Sequence, residues 1–129
     1  MKAIKYTVSI LLAVLLVGCG RVQPVMNVEN TPVAYNLQSE QVKAAIITAA
    51  TNRGWIISNN TSTELGFKLL SRDHSAEISI PYSAKYYSIN YVTSTNLLAS
   101  DGTIHRNYNR WINNLNVDIQ KYLARASVK

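Results

Sequence analysis

Apolar residues follow a helical period in the first part of the globular region. Between residues 39 and 54 they recur three or four positions apart, at Val42, Ala45, Ile46, Ala49 and Ala50. This spacing predicts a helix over residues 40–52. Ser39 is placed to cap its start, and Gly54 is placed to end it in a left-handed conformation.

The middle of the chain changes to a period of two. Four short segments alternate apolar and polar residues or are rich in β-branched residues, over 55–58, 65–70, 76–80 and 87–93. Turn residues separate them, at Asn59-Asn60-Thr61 and Asp73-His74, and Pro81 ends the third segment. This pattern predicts four strands in an antiparallel meander with one buried face.

The helical period returns after a loop over residues 94–102. A wide apolar stripe is formed by Ile104, Tyr108, Trp111, Ile112, Leu115, Ile119, Tyr122 and Leu123. Such a stripe predicts a long amphipathic helix that packs on the core. We expect Trp111, near the centre of the stripe, to be buried against the sheet.

The predicted order of elements is therefore α-β-β-β-β-α. A sheet with one buried face needs a covering layer, and both helices have one apolar face to offer. The sequence predicts an α+β fold, a two-layer sandwich in which both helices cover the same face of a four-stranded antiparallel meander. We expect this globular domain to occupy residues 37–129.

The N-terminus has the pattern of a secretory signal. Lys2 and Lys5 are followed by an apolar run over residues 8–17, interrupted only by Ser9. This run is shorter than the roughly 20 residues that a membrane-spanning helix needs. A charged start, a short apolar run and a small residue at its end are typical of a signal peptide.

The only cysteine of the chain, Cys19, directly follows this run. The stretch Leu16-Val17-Gly18-Cys19 resembles the lipobox of bacterial lipoproteins. The resemblance implies that residues 1–18 are removed, that the Cys19 thiol carries a diacylglycerol and that the new amine is acylated. Several acyl chains anchor a protein durably, which one chain does not. No free thiol then remains for a disulfide.

The resemblance also implies a location. Gly20 stands where an aspartate would be typical of inner-membrane retention, so we expect anchoring in the outer membrane with the domain in the periplasm. Residues 19–36 contain Pro24 and Pro32 and show no sustained period. We expect them to form a lipidated, flexible tether between the membrane and the domain.

The net charge of the chain limits the kinds of binding partner that we expect. The 129 residues carry a formal net charge of +6, and Lys and Arg are spread without a run. Nucleic acid is therefore not an expected partner. A modest positive charge suits an acidic polymer or a negatively charged membrane, and it is also an ordinary charge for a soluble domain.

The sequence contains no recognisable catalytic or cofactor motif. His74 and His105 are the only histidines and lie 31 residues apart, and no cluster of the three or four ligands that a zinc site needs is visible. The glycines at 54, 66 and 102 are isolated, so no phosphate-binding loop is expected. We expect no cofactor and no metal, and the pattern indicates a protein that is not an enzyme.

Two candidate surfaces remain. His105, Arg106 and Arg110 lie at the start of the last predicted helix, where free N–H groups can bind an anion. The other interpretation is a solvated face with a locally packed histidine. Leu97 and Leu98, in the preceding loop, form either a contact tip for a partner or lipid, or a pair packed under the sheet edge.

A second resemblance involves residues 87–91 (YSINY), Asn96-Leu97 and residues 104–111 (IHRNYNRW). These stretches resemble a recurring pattern in small, largely uncharacterised bacterial envelope lipoproteins. The resemblance supports the expected fold and location and implies no mechanism.

Two functions are compatible with these features. The first is a non-enzymatic binding or accessory module for another envelope component. The second is a small hydrolase or binding protein acting on cell-wall or lipid fragments. A deep polar pocket holding His74 or His105 beside a carboxylate would favour the second function.

Overall fold

A computed structural model describes residues 20–128. The signal-like segment and Cys19 lie outside these residues. Two helices and seven strands are formed: β1 (Val22–Pro24), β2 (Val28–Pro32), α1 (Ser39–Asn52), β3 (Ile56–Asn60), β4 (Glu64–Ser71), β5 (His74–Pro81), β6 (Tyr86–Thr95), β7 (Thr103–His105) and α2 (Arg106–Ala126).

Five strands form one antiparallel sheet in the order β2-β6-β5-β4-β3. Its register aligns inward-facing residues across neighbouring strands, as in the pairs Leu65↔Ile80 and Phe67↔Ile78. These side chains and the buried sides of both helices form a single hydrophobic core. The α+β class expected from the sequence is therefore confirmed.

The sheet differs from the predicted four-stranded meander because it has a fifth strand. This strand, β2, pairs with β6 and places Val28 opposite the buried Ile89. It comes from residues expected to form a flexible tether. Pro32 is tolerated because it ends an edge strand, where no ladder donor is lost. Asn30 has a φ of 47°, and the register shifts between Val28 and Thr31, which breaks the alternation that would have revealed the strand.

A second part of the expected tether, residues 22–24, is also paired. Strand β1 forms a second, two-stranded sheet with β7, with Val22 opposite His105 and Pro24 opposite Thr103. Between β1 and β2, the Met26 N–H donates to the side chain of Asn109 at 2.9 Å. The segment of residues 22–32 is therefore attached to the rest of the domain at both ends of the segment, by β1 and by β2.

Helix α1 agrees closely with its prediction. It begins at Ser39, although the preceding Gln38, and not Ser39, is the N-cap residue. The Gln38 N–H donates to the Gln41 side chain at 2.9 Å. After the helix, Gly54 has a φ of 90°, a conformation in which a residue with a Cβ is strained. This turn directs the next residue, Trp55, back towards the core, where it is 3% exposed.

Helix α2 begins at Arg106, later than the stripe suggested, because residues 103–105 pair with β1. Its core line consists of Tyr108, Ile112, Leu115, Ile119 and Leu123, all fully buried. Trp111 packs against the core but is only partly buried, so the expectation that it is buried against the sheet is met only in part. At 100° per residue, Trp111 lies about 80° from the mean direction of the core line.

A polar cluster fixes the other flank of α2 to the sheet. The buried Tyr87 hydroxyl of β6 accepts a hydrogen bond from Gln120 at 2.6 Å and donates to the side chain of Asn116. A buried hydroxyl without partners would destabilise the fold, so these bonds also select the orientation of the helix.

Candidate functional site

The structure gives His105 a capping role at the start of α2. Its Nδ1 accepts a hydrogen bond from the Asn107 N–H at 3.1 Å, and its own backbone N–H donates to the Leu97 carbonyl at 2.7 Å. The imidazole Nδ1 therefore satisfies one of the free donors of the helix start. The residue connects the preceding loop to the helix.

The two arginines of this candidate surface have different environments. Arg106 donates from its backbone N–H to the Arg21 carbonyl at 3.0 Å and from its side chain to the Gly20 carbonyl at 3.2 Å. Arg110 is exposed. The N–H of Thr103, needed open for anion binding, donates to the Ser100 carbonyl. Because this donor is already used, it is not available to an anion. Anion binding at this surface stays a prediction.

The two leucines of the loop are separated by the structure. Leu97 is 2% exposed and belongs to the core, whereas Leu98 is 52% exposed and has a φ of 56°. Leu97 therefore packs in the core, whereas Leu98 does not. A contact tip at this loop would consist of Leu98 alone.

His74 lies at the tight turn between β4 and β5. Its Nδ1 is 2.8 Å from the Asn96 carbonyl oxygen, and its Nε2 is 3.6 Å from an Asp73 carboxylate oxygen. The Asn96 side chain in turn donates to the Asp73 carbonyl at 2.7 Å. These contacts join two loops at the surface. Within residues 20–128, neither histidine lines any of the three cavities described next.

The surface of the described part has cavities, and three of them have side-chain linings that could contact a ligand. The largest, about 470 Å³, is a shallow groove between α1 and α2, lined mainly by alanines and by the stacked pair Tyr122 and Arg125. A second, about 210 Å³, lies beside the β5–β6 turn. The third, about 230 Å³, is the most enclosed of the three.

We call this third cavity the tryptophan pocket. It is lined by Arg53, Trp55, Leu69, Ser71, Trp111 and Asn114. Three elements supply these side chains: the end of α1 with the Gly54 turn, the end of β4, and the middle of α2. The pocket contains both tryptophans of the chain.

The Gly54 turn positions the aromatic floor of the pocket. Trp55 donates its backbone N–H to the Ala50 carbonyl at 3.0 Å, which fixes the residue just beyond the helix end. Its side chain is almost completely buried, whereas Trp111 on the opposite element is partly exposed. One indole is therefore part of the core, and the other is available at the opening.

An ion pair forms one rim of the pocket. Arg53 Nε lies 2.6 Å from Asp118 Oδ2, and Arg53 Nη2 lies 3.3 Å from Asp118 Oδ1. This two-point hydrogen bond lowers the pKa of the Asp118 carboxyl and raises the pKa of Arg53. The charge of the guanidinium is compensated, so the rim is polar with little net charge.

Three further polar groups of the lining are half-buried: the Ser71 hydroxyl, the Asn114 amide and the Trp111 indole N–H. None of them takes part in the side-chain hydrogen bonds found among residues 20–128, and solvent reaches these residues. Hydroxyl and amide groups can each donate and accept. The pocket thus offers aromatic surface beside unused donors and acceptors, the composition typical of ligand sites.

Sequence reasoning did not find this site. Trp55 and Trp111 are far apart in the sequence and were assigned to a strand and to the helix core. Arg53 and Asn114 had no role at all. The only available signal was the presence of two tryptophans in a small chain, and no local pattern relates them.

Comparison of the chain with protein-family models, with curated proteins and with solved structures finds no match. In the part that the structure describes, neither helix has an apolar stretch of the length required to cross a bilayer. The same part contains no group of three or more His, Cys, Asp or Glu side chains arranged for a metal ion.

Proposed function

We propose that the protein is a lipid-anchored binding module of the bacterial cell envelope that recognises its ligand in the tryptophan pocket. The location rests on the resemblance of Leu16-Val17-Gly18-Cys19 to a lipobox and on the signal-like segment before it. Acylated Cys19 anchors the chain, most simply in the outer membrane, with the domain in the periplasm.

The binding role rests on one observation, the tryptophan pocket itself. A cavity of about 150 Å³ with apolar walls is large enough to bind benzene. The pocket, about 230 Å³, is somewhat larger. Aromatic surface supplies affinity, and a few unpaired polar groups supply orientation and specificity.

The hydrolase alternative has less support. Hydrolysis needs a nucleophile or an activated water next to a general base inside a substrate site. The nearest histidine–carboxylate pair, His74 and Asp73, is separated by 3.6 Å and lies at an exposed turn outside the pocket. A binding module is therefore the better proposal.

The lipid anchor is tested by mass spectrometry of the protein purified from its native membranes. We expect a chain that begins at Cys19 and carries the mass of its acyl groups. Cys19→Ala should accumulate as an unprocessed precursor without lipid label. Mature protein with an unmodified Cys19 thiol would overturn the anchor.

The binding role is tested by photo-crosslinking in cells. A photoreactive amino acid replaces Asn114, which lines the pocket, and in a matched control it replaces the neighbouring Asn113, which is exposed on the other side of α2. We expect an envelope component to crosslink at position 114 only. The product should disappear when Trp111→Ala is added and the variant remains folded by circular dichroism. Equal products from both positions would exclude the pocket as the binding site.

A further inference from the structure

We infer that the tryptophan pocket binds one six-membered, hydroxylated sugar ring of a neutral glycan. This inference rests on the proposed binding role and specifies its ligand class. Support for this ligand has three independent parts: the pairing of polar groups, the charge of the rim and the exposure of the two indoles.

The first part concerns polar groups. Each hydroxyl of a sugar donates and accepts a hydrogen bond, and so do the Ser71 hydroxyl and the Asn114 amide. An aromatic side chain of a partner peptide would cover these groups without pairing them. Burying an unpaired polar group is unfavourable, so a hydroxylated ring suits this lining better than a phenyl ring.

The second part concerns charge. An anionic ligand would be favoured by a free cation in the pocket. The only cation in its lining, Arg53, already makes two hydrogen bonds to Asp118. Its guanidinium plane is therefore fixed and neutralised, and it can still donate from its remaining N–H groups. A neutral ligand needs no further charge compensation.

The third part concerns the aromatic surface. A sugar ring has one or two faces of C–H groups that pack favourably on an indole, while its hydroxyls point outward along its edge. Trp111 is partly exposed at the opening, and Trp55 closes the floor with 3% exposure. A ring lying on Trp111 has its edge close to Asn114 and Ser71, which belong to the same lining.

The chain provides its own reporter for this ligand. Both of its tryptophans line the pocket, so all intrinsic tryptophan fluorescence comes from this site. The experiment titrates full-length protein in detergent with a tetramer of β-1,4-linked N-acetylglucosamine. Parallel titrations use N-acetyltyrosinamide, as an aromatic peptide group, and a polyanionic glycan. Isothermal calorimetry provides a second measurement.

We expect saturable fluorescence change with the neutral tetramer and no loss of affinity as salt increases, because no net charge is paired. Asn114→Ala should weaken binding about tenfold, which corresponds to one lost hydrogen bond of about 1.4 kcal/mol. Asn113→Ala, the matched control, should bind like the parent. Trp111→Ala should abolish binding, and Trp111→Phe should retain part of it.

Each remaining outcome has a defined meaning. Saturable binding of N-acetyltyrosinamide with none of the tetramer would overturn the sugar inference and leave the proposed binding role intact. Preference for the polyanionic glycan, lost at high salt, would also overturn it. If none of the three probes changed the fluorescence or the heat of binding, and the crosslinking experiment gave no product, both proposals would be overturned.

Discussion

The helix start around His105 and the tryptophan pocket are the two regions of this protein with the most functional character, and they differ in one decisive respect. At the helix start, the imidazole of His105 and the donors of Arg106 are used by neighbouring atoms of the chain itself. In the pocket, the half-buried Ser71 and Asn114 take part in none of the side-chain hydrogen bonds found among the described residues. Polar side chains that already have partners serve the fold, whereas unpaired ones are available to a ligand.

The difference also shows why charge clusters mislead in a small domain. The sequence HRNYNR concentrates basic residues and reads as an anion site. In the folded protein the same residues attach strand β1 to the helix, because Gly20 and Arg21 supply carbonyl acceptors. The pocket is less conspicuous, since its residues come from three separate elements. Four mutational or pH experiments test this contrast, from the largest expected effect to the smallest.

The two tryptophans should contribute differently to stability. Trp55→Ala removes a side chain that is 3% exposed and should cost about 3–5 kcal/mol of unfolding free energy. Trp111→Ala should cost less, about 2–3 kcal/mol, because part of this side chain stays exposed to water in the folded protein. Urea denaturation of both variants measures the difference. Equal losses would show that Trp111 is a core residue and not an accessible wall of the pocket.

Loss of the histidine cap should lower the unfolding free energy and leave the affinity for ligand unchanged. His105→Ala removes the acceptor for the Asn107 N–H and should cost about 1 kcal/mol, the typical value of an N-cap. His105→Asn keeps an acceptor and should recover most of the loss. Thermal unfolding provides the measurement. If His105→Ala weakened ligand binding without lowering stability, the helix start would be a functional site after all.

The Arg53–Asp118 pair should make a small, pH-dependent contribution. The pKa of Asp118 is lowered in the folded protein by the hydrogen bonds from Arg53. A lowered carboxyl pKa stabilises the fold above the unfolded value, near 3.8, and this stabilisation disappears as the pH falls through the folded value. Between neutral pH and a pH below 3.8, the parent should therefore lose more unfolding free energy than Asp118→Asn does. Urea denaturation at each pH measures this loss for both proteins. Parallel pH profiles for the two proteins would contradict this.

The smallest effect is expected at Arg110, which is exposed. Arg110→Glu should change the unfolding free energy by less than about 0.5 kcal/mol, as is usual for surface positions. The same variant also tests anion binding. The fraction of protein that floats with anionic vesicles at low salt is compared between Arg110→Glu and the parent. Equal flotation is expected from the structure. A clear loss for Arg110→Glu at unchanged stability would instead support the anion site predicted from the sequence.

Much of the fold follows from local patterns in the sequence. The helices α1 and α2 and the strands β3 to β6 were predicted because hydrophobic period and turn residues are properties of neighbouring positions. Gly54 was predicted as a left-handed residue for the same reason, and its φ of 90° confirms this. The resemblance to a lipobox is equally local, and it concerns residues outside the described part of the structure.

Tertiary structure alone decided the rest. Strands β1 and β2 exist through pairing with residues more than 50 positions away, and the left-handed Asn30 removes the alternation of β2. Trp111 lies on the flank of the apolar stripe, and which part of a wide stripe is covered depends on how the helix sits on the sheet. The pocket itself requires α1, β4 and α2 to converge, and such a convergence depends on contacts that no single segment encodes.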